Sequence, residues 1–154
     1  MKSKIIDKHY LQKYRELIQE IADEQARLDA INENKGRISS PQITGMPHGS
    51  STSDPTSTNA INDAELAEYI NQLKMQLKIE KQYIEDHVRQ LENPKHKQVI
   101  RLRYLSNKDW DDVLLCMFGQ NKNFSMNQDS YSRRMYGLHR RAIEELYKMT
   151  KDLS

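Results

Sequence analysis

"RQLENPKHKQVIRLRYL", residues 89–105, is where one kind of helix gives way to another. On its upstream side, apolar residues recur at helical spacing back to about Asn62 with neither proline nor glycine between. Pro94 interrupts that run. Its ring disfavours helical backbone at Asn93, and its missing N–H then suits the first turn of a new helix. The spacing predicts a long helix ending near Glu92 and a shorter one starting at Pro94.

Upstream, the seam of the long helix is Leu66, Ile70, Leu73, Leu77, Ile84 and Leu91, with Glu80 and His87 as polar breaks and Asn62 or Asp63 as the cap. A second seam runs from Ile5 to about Asn34. Tyr14, Ile21 and Leu28 form one row and Tyr10, Leu17 and Ile31 the other; Glu24 breaks it, Leu11 and Ile18 widen it, and Gly36 is a plausible stop. Each helix would measure about 45 Å. Residues 36–61, rich in Ser, Thr, Pro and Gly, have too little apolar surface to offset their ordering entropy and read as a flexible linker. Two helices of equal length on a slack connector predict an antiparallel, coiled-coil-like hairpin, although the same seams also suit pairing between chains, as a homo-oligomer.

Composition agrees with an elongated all-α chain. Hydrophobic residues make up 36%, charged residues 30%, and mean hydropathy is −0.91, which suits long amphipathic helices better than a compact globule. No apolar run approaches the ~18 residues that would span a bilayer. With Cys116 alone no intrachain disulfide forms, so the chain reads as soluble, cytoplasmic and free of membrane partners. The net charge of +2 is unevenly spread: residues 94–154 carry 12 Lys and Arg against 7 Asp and Glu. A basic terminal third is the footprint of a domain that meets a polyanion.

Downstream of Pro94 the pattern gives three helices: "KHKQVIRLRYL", "NKDWDDVLLCMF", and one from about Ser130 to Asp152, after an irregular "GQNKNFSMNQ". Asn107 or Ser106 is placed to cap the middle helix, whose apolar side is Trp110, Val113, Leu114 and Met117. Asp109, Asp111 and Asp112 suit the positive end of its dipole. At 100° per residue, Met135, Leu138, Ala142, Leu146 and Met149 make the buried stripe of the last helix. Arg133, Gly137 and Arg140 lie opposite, flanked by Arg134 and Arg141 on one edge and Tyr136 on the other. Glycine in mid-helix costs about 1 kcal/mol against alanine. The reading that gives it a purpose is close approach of the helix backbone to DNA, with arginine forks on either side for guanine edges or phosphates; the bland one is a solvated basic face. Ser132, Tyr131 and Lys122 are further candidate DNA contacts, Ser130 and Ser132 are candidate caps, and His139 falls close enough to the stripe to be structural.

"RLRYLSNKDWDDV", residues 101–113, followed by "YSRRMYGLHRRAIEEL", residues 131–146, resembles the sigma-factor region-four-like helix-turn-helix of phage late-gene transcription regulators of the ArpU, RinA and LtrC type. The matching elements are Arg103-Tyr104, Trp110 with Val113, and the run Leu138, His139, Arg141, Ala142 and Ile143. The turn over 119–128 is longer than in that family, and Gly137 stands where a side chain is usual. The resemblance implies binding of double-stranded DNA by residues 94–154, activation of late or packaging genes, and contact with host RNA polymerase. A small-terminase-like packaging protein and a coiled-coil protein-binding adaptor are the competing readings. No catalytic residue, cofactor site or metal site is expected: the five histidines are scattered, and there is no phosphate-binding glycine loop or nucleophile elbow.

Overall fold

The computed structural model describes residues 4–38 and 55–153, with the side chains of 35–38 and 55–62 left aside. Every regular element described is helical: α1 (Lys8–Ile38), α2 (Pro55–Val88), α3 (Pro94–Ile100, continued by a π-helical turn, Arg101–Leu105), α4 (Trp110–Phe118) and α5 (Gln128–Lys151). The chain is a long antiparallel helical hairpin followed by a small helical domain. Tyr83 donates to the Lys4 carbonyl while Tyr10 donates to Glu80, so the two arms of the hairpin run in opposite directions.

Several helix ends differ from expectation. Gly36 does not stop α1, which continues to Ile38. α2 starts at Pro55 rather than at Asn62 or Asp63, because proline at a helix start forfeits no hydrogen bond. It ends at Val88, and Leu91 is buried in the turn that follows. The expected linker thus loses 36–38 and 55–61 to the helices; its remainder, 39–54, lies outside the described residues. Asp7, not anticipated as a cap, accepts from the Tyr10 N–H at 2.7 Å and fixes the start of α1. Asn93 caps α3 through Lys95 N–H at 2.9 Å, with Pro94 in the first turn as its ring chemistry dictates. For α4 the cap is Asp109, accepting from Asp112 N–H at 2.9 Å, and not Asn107 or Ser106. Asn107 instead takes the left-handed backbone (φ 52°) that asparagine tolerates better than most residues.

Two compact units result, and their border cuts the hairpin instead of falling at Pro94: residues 1–18 with 77–154 form one, 19–76 the other. In the first, Ile6, Leu11 and Tyr14 share a core with Ile84, Val88 and Leu91 and with Val99, Ile100, Val113, Phe118, Met135, Ala142 and Leu146. The hairpin's base is therefore built into the C-terminal domain. Ile6 N–H donates to Thr150 Oγ1 at 2.9 Å, which itself donates to the Leu146 carbonyl, and Arg101 grips Glu85 with both Nε (3.2 Å) and Nη2 (2.6 Å). Glu80 breaks the apolar seam for a reason: it accepts from Tyr10 and Lys4, and burial together with that bond drives the Tyr10 hydroxyl's pKa upward. His87, the other break, is buried with Nδ1 2.8 Å from the Tyr83 carbonyl. In the second unit Ile70 and Leu73 are buried, and Tyr69 donates to Glu20 at 2.6 Å.

Candidate nucleic-acid interface

α5 is held from behind by α3 and α4. Met135, Leu138, Ala142 and Leu146 are buried, as the 100° projection places them, and Val113 and Leu114 meet them from α4. Met117 and Trp110 are half-buried against the same core. Phe118, absent from the sequence-derived core, is 2% exposed and among the largest fully enclosed side chains. It continues the 110, 113, 114, 117 spacing by one more helical step, so the signal was present. Lys95 Nζ and the Arg134 guanidinium lie 5.1 and 5.5 Å from its ring centre.

Residues 119–127 form consecutive hydrogen-bonded turns, with Phe124 N–H donating to Asn121 O and Asn127 N–H to Asn123 O. Tyr131 anchors this segment: its ring lies 5.2 Å from Phe118 and 5.9 Å from Phe124. Among the expected DNA contacts, then, Tyr131 is half-buried in an aromatic stack, and Ser132 is also half-buried. α5 begins at Gln128, two residues before the expected Ser130; the cap position belongs to Asn127, so neither Ser130 nor Ser132 is a cap. Lys122 is exposed in the turn. Ser125, Asn127, Asp129, Ser130 and Arg133 border an open hollow of about 400 Å³ at the start of α5.

The outward face of α5 carries Arg133, Arg134, Arg140 and Arg141, all exposed. Among the described residues none of the four forms an ion pair with a carboxylate. Arg134 leans over Phe118, whereas the side chains of Arg133 and Arg140 make no hydrogen bond among the described residues. Gly137 lies between them, and its gap is not empty. Arg141 folds back along the helix, donating Nε–H to the Gly137 carbonyl at 3.1 Å. A Cβ on Gly137 would meet only Arg141 Nη2, at 3.2 Å. The glycine thus makes room for a guanidinium from its own helix. Gly137→Ala is expected to stabilise the fold by about 0.5–1 kcal/mol through helix propensity, because the flexible arginine tip can yield; urea denaturation measures it. Any effect on DNA binding acts through Arg141, and vanishes when the substitution is made in an Arg141→Ala background.

On the other edge, Tyr136 is 48% exposed and meets the Trp110 ring edge-on at 5.0 Å. Trp110 is enclosed further by the Arg103 guanidinium at 4.3 Å and by His139 at 4.7 Å. His139 is buried, and its Nε2 shares a 2.7 Å hydrogen bond with the Tyr104 hydroxyl. Burial, with the nearby charges of Lys8 and Arg103, lowers its pKa to about 4, so the ring is neutral at pH 7. This is a structural histidine, packed between Tyr104 of the π turn and Trp110 at the start of α4. His96 is buried with Nδ1 2.7 Å from Glu145 Oε1, lying off the hydrogen-bonding direction.

Among the described residues no cluster of three or more His, Cys, Asp or Glu is arranged to hold a metal ion, and no helix is long and apolar enough to cross a membrane. Cys116 is exposed on α4. No protein-family model, curated protein or solved structure matches the chain.

Proposed function

We propose that this chain is a sequence-specific DNA-binding transcription regulator of a phage or mobile element, in which α5 enters the major groove and the hairpin serves oligomerisation or contact with host RNA polymerase. The observation that carries the DNA-binding reading is the outward face of α5: four exposed arginines without carboxylate partners among the described residues, on a helix buttressed by two others. Unpaired guanidinium groups of this kind suit phosphate oxygens and guanine edges, which accept two parallel N–H bonds. Recognition helices of helix-turn-helix proteins are presented in the same way, with the preceding helix crossing the backbone. The phage and late-gene assignment rests on the resemblance of residues 101–113 and 131–146 alone.

The test is fluorescence anisotropy of the full chain on mixed-sequence and promoter duplexes across a salt series. Binding whose log affinity falls linearly with log salt is the expected result, and absence of any duplex binding at low salt overturns the reading. Chromatin immunoprecipitation of the tagged protein then separates a regulator, giving a sharp promoter peak, from a packaging protein, giving a signal at packaging sites.

A further inference from the structure

Two guanidinium groups converge on the loop between the π turn and α4. Arg15, from α1, donates Nε–H to Asn107 Oδ1 at 2.9 Å. Arg103, from the π turn, donates from Nη1 to the Lys108 carbonyl at 3.1 Å. The two acceptors belong to consecutive residues, so parts of the chain far apart in sequence deliver their arginines to one place. Both acceptors are neutral oxygens. Among the described residues no carboxylate lies within ion-pair distance of either arginine. Asp109, the next residue along, has its Oδ1 engaged in capping α4.

Bringing two like charges to one loop on neutral acceptors is unfavourable, and an anion bound between them relieves the repulsion more directly than the neighbouring Asp109, whose charge already acts on Arg103. The repulsion is felt: after burial, the charge of Arg15 is the main influence lowering the basicity of Arg103. Nor is the position remote from α5. Arg103 lies over Trp110, Trp110 meets Tyr136, and Tyr136 is three residues from Arg133 and four from Arg140 on the exposed side of α5.

We propose that Arg15 and Arg103 form a binding site for a backbone phosphate of duplex DNA lying along α5, with Arg15 supplied by the base of the hairpin. The inference rests on the DNA-binding reading of α5. A guanidinium has five N–H donors, and each of these spends one on the loop, leaving the rest for phosphate oxygens. The surroundings define how large the effect is. Lys108 adds a third positive charge, but Asp109, Asp111 and Asp112 cancel all three, so the locality exerts no diffuse pull on a polyanion. What it contributes is one short-range contact, which sets the register of the duplex without reading sequence.

Anisotropy salt titrations on two unrelated duplexes test this with the full-length parent, Arg15→Gln and Arg15→Lys. Arg15→Gln is expected to lower the slope of log affinity against log salt by about 0.9, the value for one lost phosphate contact on B-form DNA, equally on both duplexes. Arg15→Lys, which keeps the charge, is expected to retain the parental slope. Arg15 is half-buried, and both replacements are long, good helix formers; matching thermal melts check that the fold is unchanged. A parent that binds while Arg15→Gln shows its slope and affinity overturns the phosphate site and leaves the α5 reading standing. Loss on only one duplex overturns it too, since a phosphate contact is indifferent to sequence. A parent that binds neither duplex overturns both.

Discussion

Replacing Arg133 and Arg140 together by alanine is expected to weaken duplex binding by about 2–6 kcal/mol, roughly 30-fold to 20,000-fold, with no loss of thermal stability. That range is the sum of two guanine-edge contacts, each worth about 1–3 kcal/mol. Seven residues separate them, which is about 10 Å of helix rise, so their effects should add. Neither side chain has a hydrogen-bond or ion-pair partner among the described residues, and alanine is the better helix former, so no folding penalty competes with the binding signal. The salt series separates the two kinds of contact: phosphate contacts would flatten the slope by about 0.9 each, whereas base contacts lower affinity on the preferred duplex with little change of slope. An isotherm unchanged at fixed salt would remove these arginines from the interface.

Much of this architecture was legible because helical periodicity is a strong signal when apolar residues alternate over many turns. The hairpin seams, the break at Pro94 and the buried stripe of α5 all follow from residue spacing alone. The ends of the helices did not, since capping is decided by which polar group reaches an N–H. Asp109 reaches Asp112, whereas Asn107, two residues earlier, is drawn off to Arg15. Gly36 was misleading for a related reason: a glycine weakens a helix by only about 1 kcal/mol, which its neighbours can carry.

The domain border was hidden more deeply. Nothing in "KIIDKHYLQKY" announces that Ile6 is fully enclosed and bonded through its N–H to Thr150, because that contact joins the two ends of the chain. The candidate site shows the same division. The arginines of α5 could be put on one face by projection, but the fold of Arg141 over Gly137 depends on a side-chain rotamer, and the arrival of Arg15 and Arg103 at one loop depends on tertiary packing. Periodicity assigns a residue to a face; it does not say what the far end of a long side chain touches.

Acidification is expected to remove about 3 kcal/mol of stability between pH 6.5 and pH 4, through His139. In the folded chain its pKa is about 4, against an ordinary value of 6.5 once unfolded. Above pH 6.5 neither state binds the proton, and the stabilising contribution is complete. As the pH falls from 6.5 to 4 the unfolded chain takes up a proton that the folded chain refuses, and stability declines by about 1.4 kcal/mol per unit. Below pH 4 both states are protonated and this contribution no longer changes. Urea denaturation at half-unit intervals measures the profile. The control is His139→Phe with Tyr104→Phe, which removes both hydrogen-bond partners together and leaves neither one buried alone. The difference between the two profiles isolates His139 from the other buried histidines, His87 and His96; identical slopes for parent and double variant would show that His139 is not the acid-labile group. The consequence reaches the proposed DNA-binding face because His139 packs against Trp110, which in turn supports Tyr136 at the edge of that face. Protonation puts a charge into this buried contact, so duplex binding and stability are expected to fall over the same pH range.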